Sequence, residues 1–227
     1  MGLFREHEAF LSGLGPADRT ALLALGSTRS YAPHERLLTE GEHSTHLLVI
    51  LDGWCTVWLD TERGGRLILG LRTDGELIGE MAALDGGRRS ASVSTLGPVT
   101  GLVVPADRFR GFLSARPHAT ALVLGQLAER LRSSDRERRA LASLTVLQRL
   151  SGKLVELADH TGQVQGGSVT ISLPMPQHEL AAAVGSTRDA VAKALRLLRD
   201  RGLVRTGQNT LTVASLGPLR LLAGADL

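Results

Sequence analysis

The stretch Gln177-His178-Glu179-Leu180-Ala181-Ala182-Ala183-Val184-Gly185-Ser186-Thr187-Arg188-Asp189-Ala190-Val191-Ala192-Lys193-Ala194-Leu195-Arg196 reads as two helices joined by a tight turn. Residues 177–184 are Ala-rich and helix-compatible, Gly185-Ser186 supplies the turn, and Thr187 is placed to cap a second helix reaching Asp200. Small side chains at Ala181, Ala182 and Ala183 let two helices approach closely. In the second helix Val191, Ala194, Leu195 and Leu198 share one face, leaving Arg188, Asp189, Ala192, Lys193 and Arg196 outward. An Arg at the helix start and a Lys one turn on suit base edges in a major groove and the flanking phosphates. The candidate DNA-contacting set is Gln177, Ser186, Thr187, Arg188, Asp189, Lys193 and Arg196. The competing reading is an Ala-rich helical hairpin with a solvated charged face.

Two neighbouring features favour the DNA reading. Leu203-Val204-Arg205 and Thr210-Leu211-Thr212-Val213 flank Thr206-Gly207-Gln208-Asn209 as a β-hairpin, which makes the motif a winged helix-turn-helix. Between Gly185 and Arg205 the six bases Arg188, Lys193, Arg196, Arg199, Arg201 and Arg205 meet only Asp189 and Asp200, so basic charge concentrates late in a chain whose net charge is only +3. Upstream, Val169 to Leu173 reads as a strand ended by Pro174, and the Gly-rich stretch Thr161 to Ser168 as a loop. Thr145 with Gln148 three residues on matches a capping box opening a helix through Ala158, after a break at Ser143-Leu144-Thr145.

Before that break a long helix follows Pro117, with Leu124, Leu127, Leu131 and Leu141 on a 3,4 spacing that continues through Ser134 and Arg138. This seam fits pairing with a second copy or packing on its own domain. From Tyr31 to Pro105 short strands are expected at Leu47–Leu51, Trp54–Leu59, Arg66–Leu71, Ala91–Ser94 and Val99–Val104, separated by Gly-containing turns, as in a sandwich or barrel. Glu8 to Leu25 has helical spacing, with Pro16-Ala17-Asp18 as a helix start.

Composition narrows the function classes. At 227 residues the chain has room for two domains, and 43% hydrophobic with 22% charged residues is ordinary for globular proteins. Aromatics make up 3%, which argues against a base-stacking platform for single strands or RNA. A single cysteine, Cys55, excludes an internal disulfide and a four-thiolate iron–sulfur cluster, and reads as a small buried hydrophobe. His43 and His46 beside Glu40 and Glu42 are the one metal candidate, weakened by the lack of structural-zinc spacing, so no metal or resident cofactor is expected. No apolar run is long enough to span a bilayer and Met1 to Glu6 lacks a secretory hydrophobic region, which predicts a soluble, cytoplasmic protein with no membrane partner.

The stretch Gly79-Glu80-Met81-Ala82-Ala83-Leu84-Asp85-Gly86-Gly87-Arg88-Arg89-Ser90-Ala91 lies between two expected strands. Its Gly79-Glu80 and Arg89-Ser90-Ala91 closely resemble the phosphate-binding cassette of the cyclic AMP receptor protein and fumarate–nitrate regulator (CRP/FNR) family. Glycines Gly41, Gly53 and Gly75 at turns, the long helix, and the helix-turn-helix extend the resemblance over nearly the whole chain. It implies an α+β fold: a jelly-roll-like cyclic-nucleotide-binding β-roll over residues 1–116, a dimerisation helix and hinge over 117–144, and a winged helix-turn-helix over 145–227. A dimeric, ligand-gated transcription regulator follows, binding near-palindromic double-stranded operators and contacting RNA polymerase.

The implied ligand set is Gly79, Glu80, Met81, Arg88, Arg89, Ser90, Arg130, Ser134 and Asp135. A phosphodiester needs a fixed cation and backbone N–H groups, which Arg89 and Ser90 at a short helical turn offer. A ribose hydroxyl needs an acceptor, the part given to Glu80, unless Glu80 and Arg89 form only a structural ion pair. Asp135 departs from the hydroxyl residues usual in cyclic AMP binders; as an acceptor it serves an adenine amino group or the Watson–Crick edge of guanine. Cyclic AMP and cyclic GMP therefore stand side by side as effectors, beside cyclic di-GMP and ligand-independent DNA binding. In the second helix Asp189 stands for the more usual Glu and Lys193 for Arg, so the family's operator does not transfer unchanged. A cyclic-nucleotide-controlled enzyme is the remaining class, and after Thr145 the sequence offers neither a nucleophile–base constellation nor a P-loop, so the chain is not expected to be an enzyme.

Overall fold

The computed structural model describes residues 3–4, 8–62, 64–165, 167–172, 177–207 and 210–224, apart from the side chains of residues 165, 172, 177 and 178. The expected strand end at Leu173-Pro174, the Gln208-Asn209 part of the wing turn and most of the Met1 to Glu6 segment lie outside the described residues. The chain divides into two compact units, Arg5–Leu59 with Leu69–Arg132, and Met1–Phe4, Asp60–Ile68 and Ser133–Leu227.

The first unit draws on α1 (Phe10–Gly13), α2 (Pro16–Leu23), β1 (Ser27–Tyr31), β2 (Arg36–Leu38), β3 (His46–Asp52), β4 (Cys55–Asp60), β5 (Arg66–Arg72), β6 (Leu77–Ile78), α3 (Glu80–Asp85), β7 (Ser92–Thr95), β8 (Val99–Pro105), α4 (Ala106–Ser114) and the start of α5 (Pro117–Ser143). Its strands form two four-stranded sheets, β1-β8-β3-β6 and β2-β7-β4-β5. The run Leu47-Leu48-Val49-Ile50 is apolar without alternation because β3 is buried on both faces: Leu47 and Val49 join a cluster with Phe10, Phe109 and Phe112, while Leu48 and Ile50 join one with Leu38, Cys55 and Val93. The five expected strands are present within a residue or two of their predicted ends. β1, β2 and β6 have no sequence signature. β1 is polar and exposed along Ser27–Ser30, and its pairing with β8, from Ser27 opposite Val103 to Tyr31 opposite Val99, makes it a strand. Cys55 is fully buried, and burial, with a smaller contribution from Glu76, pushes its thiol up to about 12, so it is inert at neutral pH.

The leucine seam of α5 divides. Leu127 packs on the Phe109 cluster beside Ala119 and Val123, whereas Leu124 and Leu131 remain 61% and 63% exposed. Packing on its own domain thus accounts for one part of the stripe and leaves the other part open.

The second unit holds the remainder of α5, then α6 (Val146–Thr161), β9 (Gly162–Gln165), β10 (Ser168–Ser172), α7 (Gln177–Val184), α8 (Arg188–Asp200), β11 (Val204–Thr206), β12 (Thr210–Val213) and α9 (Leu216–Ala223), with a sheet of order β11-β12-β10-β9. The capping box is formed: Gln148 N donates to Thr145 Oγ1 at 3.3 Å, and Thr145 N to Gln148 Oε1 at 2.9 Å. The segment expected as a loop is corrected. α6 continues to Thr161, and β9 pairs with β10, Val164 opposite Val169 and Gly162 opposite Ile171. Glycine disguised this strand, yet Gly162 is required there, since a Cβ would stand 2.2 Å from Ala158 O and 2.4 Å from Val169 Cγ1.

Thr145→Ala is expected to lower stability by about 1 kcal/mol, the usual effect of losing a helix N-cap. Urea unfolding followed by far-UV circular dichroism measures it, and an unshifted midpoint would mean the box contributes nothing.

Candidate functional site

β6 ends at Ile78, and Gly79, at φ +78°, turns the chain into α3. A Cβ on Gly79 would lie 2.1 Å from Arg89 Nη1 and 2.9 Å from Leu38 Cδ1, so the guanidinium occupies the space a side chain would take. Arg89 is 5% exposed. Its Nη1 donates to Gly79 O at 2.8 Å and its Nη2 to His46 O at 2.6 Å. Its main chain is fixed as well, with Arg89 N donating to Glu42 O and Gly41 N donating to Arg89 O. Burial lowers the Arg89 pKa from its usual value, opposed by the fields of Glu80 and Glu42. Burial and then Arg89 likewise lower that of His46.

Glu80 is buried and accepts from Arg130 Nη2 at 2.6 Å. The alternative Glu80–Arg89 ion pair is not formed: Arg89 is taken up by two carbonyls, and the carboxylate instead ties α3 to α5. Around these groups lies a cavity of about 40 Å³ whose walls include Leu38, Val57, Arg72, Glu80, Arg89 and Arg130. Ser90 and Met81 stand at its exposed side, Ser90 Oγ 3.8 Å from Met81 Sδ. Arg88 turns outward and donates to Gly41 O at 2.7 Å, with His43 as its bridge partner. Ser134 and Asp135 belong to the second unit, where Asp135 Oδ1 accepts from Arg138 at 3.1 Å. Arg72 was missed by sequence reasoning. It ends the apolar strand β5 at 5% exposure, its Nη1 donating to Leu71 O and its Nε 3.9 Å from Glu76 Oε1. An Arg closing an apolar run, with Glu four residues on, was the available signal.

In the second unit α7 and α8 have the expected bounds, and Thr187 Oγ1 accepts from Ala190 N at 3.2 Å as the N-cap. Val191, Ala194, Leu195 and Leu198 are buried. Arg188, Asp189, Ala192, Lys193 and Arg196 are exposed, as is Thr187, while Ser186 is partly buried in the turn. Gln177 opens α7, and its side chain lies outside the described residues. Arg149, another residue sequence reasoning missed, clamps the turn by donating to Val184 O at 3.0 Å and to Leu144 O at 2.7 Å. Arg199 Nη1 donates to Thr206 Oγ1 at 3.3 Å, tying the second helix to the wing.

A cation-lined cavity in a two-sheet roll, on one chain with a winged helix-turn-helix, defines a ligand-responsive DNA-binding transcription regulator. The model of the cyclic nucleotide-binding domain matches residues 28–116, and that of the Crp-like helix-turn-helix domain matches residues 148–222. The chain belongs to the CRP/FNR family of transcription regulators. It is similar to the CRP-like cAMP-activated global transcriptional regulator of Mycobacterium tuberculosis, 27% identical over 193 residues covering 85% of this chain and 86% of the relative. It is also similar to the cyclic AMP receptor protein of Thermus thermophilus, 28% identical over 211 residues covering 93% and 94%. Among solved structures, a CRP/FNR-family transcriptional regulator, also from Thermus thermophilus, superposes with a TM-score of 0.74 at 25% identity, over 87% of this chain and 98% of that one. The c-di-GMP responsive global regulator CLP of Xanthomonas campestris does so at 0.80 and 20% identity, over 88% and 99%, a likeness of fold alone. Among the described residues no helix is long and apolar enough to cross a membrane.

Gly79→Ala should displace the Arg89 guanidinium, because the new methyl claims its position at a backbone angle alanine adopts poorly. A crystal structure of the variant checks this, and an unmoved Arg89 would refute the steric account.

Proposed function

We propose that the chain acts as a homodimer whose DNA-reading head answers to a cyclic mononucleotide, cyclic AMP or cyclic GMP, held against Arg89. The observation that carries this reading is a charge count at the cavity. Arg130 is matched by Glu80 and Arg72 by Glu76, while Arg89 pairs with no carboxylate among the described residues. A buried guanidinium held on two carbonyls, with Glu80 and Glu42 acting on it through their fields and not by a direct ion pair, suits a single phosphodiester as its contact anion. Cyclic di-GMP, with two phosphates, exceeds that count. The names of the cAMP-activated relatives support the same choice.

In this reading residues 1–116 receive the ligand, 117–144 form the dimerisation helix and hinge, and 145–227 read DNA. Arg89 and Ser90 hold the phosphate, Gly79 gives it room, Met81 and Arg88 border it, Glu80 accepts from the ribose hydroxyl, and Ser134 with Asp135 face the base. The buried Nε of Arg130 has no hydrogen-bond partner among the described residues, a donor that a ligand oxygen satisfies. In this reading the Arg130–Glu80 pair opens when the ligand reaches Glu80, and Arg130 is carried by α5. Ligand binding thereby acts on the helix whose exposed Leu124 and Leu131 suit pairing with a second copy. The effector contributes its differential affinity for the two states. In the reading head Arg188, Asp189, Lys193 and Arg196 face the groove, and Gln177, Ser186 and Thr187 border it. Two-fold pairing calls for a near-palindromic operator, and the proposed setting is the cytoplasm, with RNA polymerase as partner.

Arg89→Leu is expected to abolish nucleotide binding in calorimetric titrations with cyclic AMP and cyclic GMP while light scattering still finds a dimer; wild-type affinity in that variant sinks the cavity assignment. For Arg188→Ala the expected loss is about 1–3 kcal/mol at one operator position, read from binding to a panel of operator variants. An equal loss on every sequence would make Arg188 a phosphate contact instead.

A further inference from the structure

The cavity lining draws side chains from all four strands of the sheet β2-β7-β4-β5. Leu38 on β2 is registered with Val93 on β7, Val93 with Val57 on β4, and Arg72 stands on β5, the next strand. All four line the cavity. Arg89 Nη1 and Leu38 Cδ1 crowd the same point beside Gly79, so the phosphate-seeking cation sits at the β2 edge and Arg72 at the β5 edge. Three strand spacings of about 4.8 Å each separate those edges. Leu38, Val93 and Val57, in register across β2, β7 and β4, supply an apolar strip of the same lining.

A cyclic mononucleotide has the same polarity, with its anion at one end and the polar edge of its base at the other. Resting on the cyclic-mononucleotide reading above, we propose that Arg72 is the specificity-determining residue of this cavity and selects a base presenting two acceptors, a 6-oxopurine, so that cyclic GMP is preferred over cyclic AMP. Guanine offers O6 and N7 side by side, the pair that a guanidinium fork engages, whereas adenine puts its amino donor where O6 would be. Opposite a buried Arg that amino group leaves two donors facing each other, and a polar group left unmatched in such a site costs far more than a lost contact.

The position is built for this task. Glu76 Oε1 lies 3.9 Å from Arg72 Nε, while its Oε2 accepts from Thr73 N at 2.8 Å, so the turn holds the carboxylate beside the cation. Arg72 Nη1 is oriented further by Leu71 O at 2.6 Å. Stability does not account for the pair, because a buried ion pair replaced by apolar residues of similar size is usually neutral or stabilising. A Leu at position 72 would continue the apolar strip without this desolvated charge.

The test is calorimetric titration of the purified full-length protein with cyclic AMP, cyclic GMP and cyclic IMP, which keeps O6 and N7 but lacks the 2-amino group. Cyclic GMP and cyclic IMP are expected to bind together and tighter than cyclic AMP, by roughly 5- to 100-fold, the range one bidentate base contact commands. In Arg72→Met with Glu76→Gln, the ratio of cyclic GMP to cyclic AMP affinity should fall to about one, with folding verified by thermal melting. Arg72→Lys, which keeps the charge and loses the fork, should reduce the ratio as well and serves if the double variant does not fold. Cyclic AMP binding as tightly as cyclic GMP in the wild type, or a ratio unmoved in a folded variant, overturns the role of Arg72 and leaves the cyclic-mononucleotide reading standing. If none of the three nucleotides binds, that reading falls, and the role of Arg72 with it.

Discussion

The roll is organised around one desolvated charge. Arg89 is buried to 5% exposure, and its guanidinium is met by the carbonyls of Gly79 and His46 instead of a carboxylate. Dipoles of neutral carbonyls orient the cation, and the fields of Glu80 and Glu42 offset part of the cost of burying it without a direct ion pair. Several local choices follow from that one residue. Gly79 is obligatory because the guanidinium fills the place of its side chain, and the Gly41 and Glu42 main chain brackets Arg89 on both sides. A roll optimised for stability alone would place a carboxylate beside Arg89. In the proposed reading the contact position at Arg89 is left for the ligand's phosphate.

The arrangement of Glu80 is the counterpart. A carboxylate with 3% exposure needs a partner, and it takes Arg130 from α5, two residues before the end of the first unit. Breaking one member out of such a pair is strongly unfavourable unless another group replaces it. In the proposed reading a ligand that offers a hydroxyl to Glu80 and an oxygen to Arg130 would supply both replacements, which a bare anion would not.

Legibility in the sequence followed the range of the interactions involved. The reading head was read almost residue by residue, because a 3.6-residue period, a Thr cap and a glycine turn are all local; Val191, Ala194, Leu195 and Leu198 are buried, and the helix has the bounds expected of it. The strands β3 to β5 were legible from apolar runs between glycine turns. β1 and β9 were not, since the polar Ser27–Ser30 and the glycine-rich Gly162–Gln165 become strands only by pairing with β8 and β10. At the site, Glu80 and Arg89 were found through a family motif, but which acid pairs with which base depends on where α5 passes, a long-range fact. Arg72 carries no motif at all. Its place in the cavity lining comes from the sheet that brings β2, β7, β4 and β5 together, and no window of sequence contains that sheet.

The second unit shows the opposite economy. Its turn is locked by Arg149, its recognition helix by Thr187, and its wing by Arg199, each through contacts internal to that unit. Side chains on a preformed helix lose little further freedom on meeting DNA, so Arg188 and Lys193 do not have to offset the ordering of their own scaffold. A head that is already folded leaves no folding step for an effector to control, and the remaining variable is where the head is carried. In the proposed reading, regulation acts through α5 and the break before the Thr145 capping box, the segments of chain that join the two units in sequence. On that reading the cavity would need no contact with DNA to govern it, only a change in the helix that both units share in sequence.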